Sequence, residues 1–358
     1  LPVSAVHDLV IHGDDLVIAT HGRSFWILDD IAPLRQAGVA MKAGTSWLYQ
    51  PAAAVRVDND SFSGSPLPPE EPTAENPPNG AVIDYYIKGA TSQVKLEIFD
   101  ARHALVRRFS SDSNQVKKHA PAAVAERWFP ELQVLGKSPG MHRFVWNLAT
   151  GGSGSESGEP ADDDDYFAPH PPRVVPGTYE LRLTVDGKTW TQPLKVAMDP
   201  RSTATPDELE KQFELGRQIF SETLHSRQAL AEMQSVQKQL AELKAPAAGL
   251  KPSVEQVQAE IKRILDGGEP SGVSIGSKEA NSGLAAALGV VESSDRAIPS
   301  QAISVYEQSA QAMIARVAEW SQLKAGRLTQ LNDELKHANL TPIAITEIER
   351  EVEYFMSR

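Results

Sequence analysis

The spacing of apolar residues changes once along this chain, at Asp199-Pro200, and this change constrains the fold more than any other feature. Before that point apolar and polar residues alternate over several short runs, which is the period of β-strands. After it apolar residues recur at every third or fourth position, which is the period of α-helices. The sequence therefore predicts a β part followed by an α part. A chain of 358 residues is long enough for two or three domains.

Three short apolar runs lie close together near the start of the chain. They extend from Val6 to His12, from Leu16 to Thr20 and from Ser24 to Leu28, with glycine-containing turns between them. This pattern predicts three antiparallel strands joined as a meander. Because a sheet of two or three strands is marginally stable when its apolar faces meet water, we expect another element to cover it.

Three segments of this region resemble a known family. Val6-His-Asp-Leu9, Asp15-Leu-Val-Ile-Ala-Thr-His-Gly-Arg23 and Phe25-Trp-Ile-Leu-Asp-Asp30 are similar to the last blade of secreted bacterial β-propeller proteins called sortilin-like or BNR-repeat glycosyl hydrolase-like proteins. The resemblance continues, in the order of that family, over the segments 76–86, 144–148, 176–179 and 192–200.

The resemblance implies that residues 1–57 form a partial last blade and its exit segment. It also implies that the chain is the C-terminal region of a longer exported protein, located in the extracellular space or the periplasm. The upstream propeller blades of the same protein would then be the partner of this stretch. Leu1 in place of methionine agrees with such an origin.

The region 81–199 predicts a β-sandwich. Apolar residues alternate with polar ones in four runs: Ile83, Tyr85 and Ile87; Val94, Leu96 and Ile98; Phe144, Trp146 and Leu148; and Tyr179, Leu181, Leu183 and Val185. Asp186-Gly187 between two strand-like runs is a strong signal for a two-residue hairpin turn. Several short alternating strands with turns between them indicate an immunoglobulin-like β-sandwich, here without the cysteine pair of antibody domains.

Segments of different composition separate and interrupt these predicted strands. Residues 58–80 are rich in proline, serine, glutamate and asparagine, and they predict an exposed linker. Two insertions are predicted within the sandwich, one at 112–139 with a short helix around 120–129 and one at 151–176.

Residues 200–358 predict an antiparallel helical bundle. Thr205-Pro-Asp-Glu208 is a capping box that opens a helix running to about Lys244. Further helices are predicted from Ser253 to the Gly267-Gly268 pair, from Ser277 to Glu292 and from near Pro299 onward, with a short final helix within 343–358. The helix from Pro299 carries a heptad seam that ends with Leu328, Leu331 and Leu335, so the simplest packing pairs the two long helices in antiparallel fashion along it.

Charge and cysteine content exclude several classes of function. With 35 lysines and arginines against 47 aspartates and glutamates, the net charge of −12 argues against a nucleic-acid partner. The absence of cysteine excludes disulfides, thiolate nucleophiles and cysteine-ligated zinc. No apolar run approaches the roughly 20 residues of a membrane span, so no span is predicted.

His21 and Arg23 at the turn between two predicted strands are candidate ligand-binding residues. They could line a rim that faces a ligand, or they could make hydrogen bonds between neighbouring blades. Asp29 and Asp30 would point to opposite faces of a strand, so they do not form a plausible acid and base pair. In the xyloglucanase-type members of the resembled propeller class the catalytic aspartates lie on other blades, so no catalytic residue is predicted in this chain.

Trp190 and an acidic run are the other candidates. Trp190 could provide an aromatic face for a sugar, whereas Trp26, Trp146 and Trp320 lie at positions that predict a core. Four consecutive carboxylates occur at Asp162, Asp163, Asp164 and Asp165, and they could bind calcium, the one cofactor that the sequence suggests. Such blocks of like charge are, however, usually solvated.

The leading hypothesis is a non-catalytic C-terminal region that closes and braces a propeller and could present an interaction surface. The first alternative is a part of a glycoside hydrolase, with the catalytic residues on upstream blades and the turn of His21 and Arg23 in its cleft. The second alternative is a module that binds a glycan, a peptide or calcium.

Overall fold

A computed structural model of the chain describes residues 3–57, 78–112, 134–151, 169–243, 249–268 and 274–344. It is a mixed β and α structure in which the strands precede residue 199 and all helices but one follow it. The strands are β1 (Val6–His12), β2 (Asp15–Thr20), β3 (Phe25–Leu28), β4 (Trp47–Leu48), β5 (Ala54–Arg56), β6 (Ala81–Ile87), β7 (Val94–Phe99), β8 (Leu105–Ser110), β9 (Gly140–Trp146), β10 (Gly177–Val185) and β11 (Lys188–Met198). The helices are α1 (Ala32–Ala43), α2 (Pro206–Glu242), α3 (Lys251–Asp266), α4 (Ser277–Val291), α5 (Ser300–Leu323) and α6 (Thr329–His337).

The chain divides into two compact units. The β unit comprises Leu1–Phe213 together with Ser294–Arg296, and the helical unit comprises Glu214–Ser293 together with Ala297–Arg358. Four predicted features lie wholly or mostly outside the described residues: the linker, the first insertion with its short helix around 120–129, the second insertion and the final helix. None of the helices in the described part of the chain combines the length and the apolar character that crossing a membrane requires.

The first sheet contains β1, β2 and β3 in that order, and both strand pairs are antiparallel. This confirms the predicted meander. Gly13 lies in the turn after β1 and Gly22 in the turn after β2, both with positive φ, a conformation that glycine adopts without steric cost.

Two further sheets share one core in the β unit. One has the strand order β5-β11-β10-β7-β8 and the other the order β4-β6-β9. The alternating residues that the sequence places on inner faces are all buried: Ile83, Tyr85, Ile87, Val94, Leu96, Ile98, Phe144, Trp146, Leu148, Tyr179, Leu181, Leu183 and Val185. Asp186 and Gly187 have φ of 45° and 82°, which forms the predicted two-residue hairpin turn between β10 and β11.

Helix α1 is an element that strand periodicity does not reveal. It has a proline in its first turn and ends at Gly44 with φ of 62°, two signals that usually mark the ends of a helix. The sequence shows both signals. The segment 32–43 nevertheless has only a weak apolar pattern, so period alone predicts an exit segment after the first sheet and not a helix.

The predicted capping box at the start of α2 is confirmed. The Thr205 amide donates to Glu208 Oε2 at 2.8 Å, and the Glu208 amide donates to Thr205 Oγ1 at 3.3 Å. The next helix, α3, begins at Lys251 rather than at the predicted cap Ser253. Pro252 explains the earlier start, because proline is favoured in the first turn of a helix.

The contacts within the helical unit show the direction of each helix. Along α2 and α5, Glu222 contacts Tyr306 and Glu232 contacts Trp320, so the two long helices run parallel. The prediction that the two long helices are antiparallel is therefore wrong. An antiparallel relation is found instead between α3 and α5: Arg263 pairs with Glu319, while Glu260, earlier in α3, pairs with Arg327, which lies later in the chain. The short helix α3 therefore runs antiparallel to the two long helices.

Candidate functional site

No element of the described part of the chain covers either face of the first sheet. All residues of β1 and β3 are exposed, and those of β2 are only partly buried. In this sheet residues that are paired across strands lie on the same face. One face carries Leu9, Ile11, Leu16, Ile18, Trp26 and Leu28, and the other carries Val10, Val17, Ala19, Phe25 and Ile27.

Large apolar side chains on this sheet are therefore exposed to water on both sides. On the first face Leu9 is 56% exposed and Ile11 is 60% exposed, while on the second face Phe25 is 73% exposed and Ile27 is 61% exposed. Sheets of three strands are stable when a face is packed against another element. Exposed apolar patches of this kind mark interaction surfaces.

Trp26 differs from the prediction that placed it in a core. It is 40% exposed, whereas Trp146 and Trp320 are buried as predicted. The alternation that assigned Trp26 to an inner face is correct for the strand. The described residues contain no layer that covers this face, so the prediction of burial is wrong.

The sheet is held at one end by the rest of the β unit. The Ile31 amide donates to the Asp14 carbonyl at 2.7 Å, and Arg35 donates to the Gly13 carbonyl at 2.8 Å. Arg143 donates to the Asp29 carbonyl at 3.3 Å. These contacts involve the β1–β2 turn and the segment after β3, so they leave the two faces open.

Arg143 joins this segment to the second group of sheets. Its guanidinium forms a two-pronged ion pair with the buried carboxylate of Asp84, with N to O distances of 3.0 Å. The hydrogen bond to Asp84 raises the pKa of Arg143 above its ordinary value. The ion pair with Asp84 thus holds the guanidinium beside the carbonyls of Asp29 and Asp30, to which it donates.

His21 and Arg23 lie in the turn between β2 and β3. The His21 ring stacks on His7 with 5.0 Å between ring centroids, and the Arg23 carbonyl accepts a hydrogen bond from Trp26 Nε1 at 2.8 Å. Neither the His21 nor the Arg23 side chain pairs with a carboxylate in the part of the chain that the structure describes. The interactions of this turn are therefore local ones that shape the hairpin.

Asp29 and Asp30 follow β3 and do not form a catalytic pair. Asp30 adopts a φ of 54°, and its carboxylate accepts a hydrogen bond from the Ala32 amide at 3.0 Å. Burial raises the pKa of Asp30 above its ordinary value. Asp15 accepts a hydrogen bond from the Asp30 amide at 3.0 Å, so this carboxylate also holds the exit from the sheet.

No family model, curated protein or solved structure matches this chain. The relation to propeller proteins is therefore a hypothesis that depends on the sequence resemblance and on the physical properties of the uncovered sheet.

Trp190 lies away from the first sheet, so the structure does not join it with His21 and Arg23 in one site. It is partly buried against the core shared by the two larger sheets. An open depression of about 410 Å³ lies beside its indole, between the end of β6 and the β10–β11 turn. Lys88, Thr91, Asp186 and Lys188 contribute polar groups to the wall of this depression.

The predicted calcium ligands, Asp162 to Asp165, lie outside the described residues. Among the residues that are described, no group of three or more histidines, aspartates or glutamates is arranged to hold a metal ion.

One feature that the sequence did not predict is a buried ion pair. Arg56 Nη2 lies 2.8 Å from Asp295 Oδ1, and both side chains are 2% exposed. The two residues are 239 positions apart in the sequence. The only sequence signal for it was an arginine at an inward position of a short strand.

Proposed function

We propose that this chain is a non-catalytic supporting region of an exported β-propeller protein, in which β1–β3 form part of the closing blade. The observation that carries the proposal is that this sheet has exposed apolar side chains on both faces, neither of which is covered by a described residue range. The sequence resemblance over Val6–Asp30 supports the same assignment.

A sheet with two apolar faces is suited to lie between two other layers. A strand buried on both faces reads as a continuous apolar run, and β2 with Leu16-Val-Ile-Ala19 has this character. Propeller blades are sheets of this kind, since each blade packs between two neighbours around the ring. A partner that docks on one side only would not require the second apolar face.

The apolar surface involved is large enough for stable packing. Eight large apolar side chains of the three strands are exposed: Val6, Leu9, Val10, Ile11, Phe25, Trp26, Ile27 and Leu28. Each of these partly exposed side chains would contribute about 1 kcal/mol to the free energy of unfolding when it becomes buried. A cover on both faces would therefore contribute on the order of 8 kcal/mol in total. This is comparable to the whole free energy of unfolding of a typical domain.

The remainder of the chain would support this blade. The contacts of Arg35 and Arg143 hold the sheet at one end and leave both faces free for neighbours. We assign the two larger sheets to the immunoglobulin-like class and the helical unit to a bundle as parts of the same proposal. An extracellular or periplasmic location follows from the resemblance and belongs to the proposal too.

The test compares the chain alone with the chain preceded by the blades that the proposal requires upstream of Leu1. In the chain alone we expect amide hydrogens of β1–β3 to exchange at least about a hundredfold faster than those of β10, because few contacts stabilise the first sheet. In the longer protein the β1–β3 amides should become protected. Equal protection of β1–β3 and β10 in the monomeric chain alone would contradict the proposal.

Substitution on each face separately tests the two-sided cover. Ile18→Glu introduces a charge on one face and Ile27→Glu on the other. Each should lower the free energy of unfolding of the longer protein by about 2–4 kcal/mol and change the chain alone by less than about 1 kcal/mol. Leu105→Glu, at an exposed position of β8, is the matched control. If only one of the two substitutions lowers the free energy of unfolding of the longer protein, the partner covers one face only and the blade assignment is wrong.

The glycoside hydrolase alternative places its catalytic carboxylates on upstream blades. No observation in the described residues favours it over the supporting role. Its test is His21→Ala in the longer protein, which should lower turnover on glycans without lowering stability if this turn belongs to a cleft.

A further inference from the structure

We infer that the depression beside Trp190 binds a neutral oligosaccharide. The site is separate from the uncovered sheet and does not depend on the supporting role proposed above. It is formed where three segments of the β unit meet: 45–46 before β4, 88–91 after β6, and 185–190 around the β10–β11 turn. Binding residues are often carried by loops that a rigid scaffold positions in this way.

The indole of Trp190 forms the aromatic wall of the depression. Trp190 is paired with Leu183 across β10 and β11, so it shares the inward face of the sheet. It lies near the end of the strand, where part of the ring packs against the core and part remains accessible. Core packing therefore fixes the ring, which lowers the entropy cost of binding a ligand to its open face.

Asp186 provides a fixed acceptor at the rim. Its Oδ1 accepts hydrogen bonds from the Ser92 amide at 3.0 Å and from Ser92 Oγ at 2.7 Å. Hydrogen bonds to Thr91 and Ser92 lower the pKa of Asp186 to about 2, so the group is a carboxylate at neutral pH. A carboxylate offers about four lone-pair sites on its two oxygens, so Asp186 keeps capacity to accept a hydrogen bond from a ligand hydroxyl beside those from Thr91 and Ser92.

Donors lie close to this acceptor. Lys188 follows Asp186 in the same turn, its side chain is exposed, and it forms no ion pair with a described residue. Lys88 also lines the depression, and its amine donates to the Gly44 carbonyl. Thr91 also lines the wall, and its side chain hydrogen-bonds to Asp186.

This combination fits a sugar better than other small ligands. A pyranose ring offers an apolar C–H face to an aromatic ring and hydroxyls at its edge to donors and acceptors. A volume of about 410 Å³ accommodates one or two such rings and leaves the ends of a longer oligosaccharide in solvent. The lining carries charges of both signs, Lys88 and Lys188 beside Asp186, and therefore offers donors together with an acceptor, which suits the hydroxyls of a neutral sugar.

The experiment titrates the whole chain with neutral tetrasaccharides of glucose, xylose, mannose and galactose. Binding is followed by calorimetry and by the NMR signal of the Trp190 indole N–H. We expect at least one tetrasaccharide to shift this signal in a saturable manner. Trp190→Ala should raise Kd at least about tenfold and Lys188→Ala about three- to tenfold. Lys195→Ala is the matched control, since Lys195 is exposed on the same strand outside the depression and should leave Kd unchanged.

Two further variants separate loss of binding from loss of folding. Trp190→Phe keeps an aromatic face and should bind within a few-fold of the parent. Asp186→Asn keeps a residue that tolerates positive φ in the turn and removes the charge, and it should weaken binding even if Trp190→Ala does not fold. The inference is overturned if no tetrasaccharide binds at about 10 mM, or if folded Trp190→Ala binds like the parent.

Discussion

Arg56 and Asp295 show how one pair of residues connects distant parts of the sequence. Arg56 Nη1 donates to the Arg173 carbonyl at 2.9 Å and to the Val174 carbonyl at 2.7 Å, while its Nε and Nη2 bond to Asp295. These hydrogen bonds replace the ones that the guanidinium would make to water if it were exposed. The pair holds the short segment Ser294–Arg296 within the β unit although its sequence neighbours belong to the helical unit.

Removing one partner of this pair should cost more than removing both. Asp295→Leu alone leaves a buried guanidinium without its counter-ion, and we expect the free energy of unfolding to fall by about 3–5 kcal/mol. The double variant Arg56→Met with Asp295→Leu should recover part of that loss, because apolar side chains fill the space but leave the Arg173 and Val174 carbonyls without the donor that Arg56 supplies. Urea unfolding followed by circular dichroism measures both changes.

An exposed pair is the control for this prediction. Lys211 and Asp207 form an ion pair on the surface of α2, with both side chains mostly exposed. Asp207→Leu should therefore change stability by less than about 1 kcal/mol. A similarly small effect of Asp295→Leu would show that water reaches the Arg56 site.

A π-helical turn at Lys324–Leu328 joins α5 directly to α6. This turn keeps the apolar residues of α5 and α6 on one side, as a continuous seam. Trp320, Leu328, Leu331 and Leu335 are all buried, although Leu328 follows Trp320 by eight residues. In a regular α-helix eight residues turn about 80° beyond two full turns and would carry Leu328 away from the core. A π turn holds more residues per turn, and this returns the seam to the core.

Deleting Gly326 should therefore be tolerated. The deletion converts the π turn into a regular α-helix with the flanking seam in phase, and it removes a glycine that costs about 1 kcal/mol in a helix. We expect the melting temperature to be unchanged or raised. Deleting Gln311, an exposed residue in the regular part of α5, should rotate the seam by about 100° and lower stability by several kcal/mol. Equal loss in both deletions would mean that the π turn has another role.

At the scale of the whole molecule, the two units have separate cores. The cluster shared by the larger sheets lies entirely in the β unit, while two clusters built from α2 to α6 lie in the helical unit. No residue belongs to both a β and a helical cluster among those that the structure describes. Each unit therefore has its own source of hydrophobic stabilisation.

We expect the two units to respond separately to core substitutions. Leu181→Ala and Met233→Ala each remove a side chain that is 0% exposed, one from each unit. Each should lower stability by about 2–5 kcal/mol in its own unit. Hydrogen exchange read by mass spectrometry should show faster exchange in β10 for the first variant and in α2 for the second. Faster exchange of both units in both variants would show that they unfold as one.

Much of the local structure could be predicted from sequence. The inner faces of β6, β7 and β10, the capping box at Thr205 and the hairpin turn at Asp186-Gly187 all follow from short-range rules of period, capping and turn conformation. Helix α1 could not be predicted from period alone, because Pro33 and Gly44 frame a segment with a weak apolar pattern. The two-sided apolar character of the first sheet was also visible in the sequence.

The sequence by itself determined which side chains face inward, because the periods of strands and helices depend only on the local backbone. Tertiary structure alone decided which inward residues find a cover, and so Trp146 is buried while Trp26 is exposed. It also decided that α2 and α5 run parallel, that Arg56 pairs with Asp295, and that three loops meet beside Trp190. These features join residues far apart in the chain, and no local pattern records which distant segments will pack together.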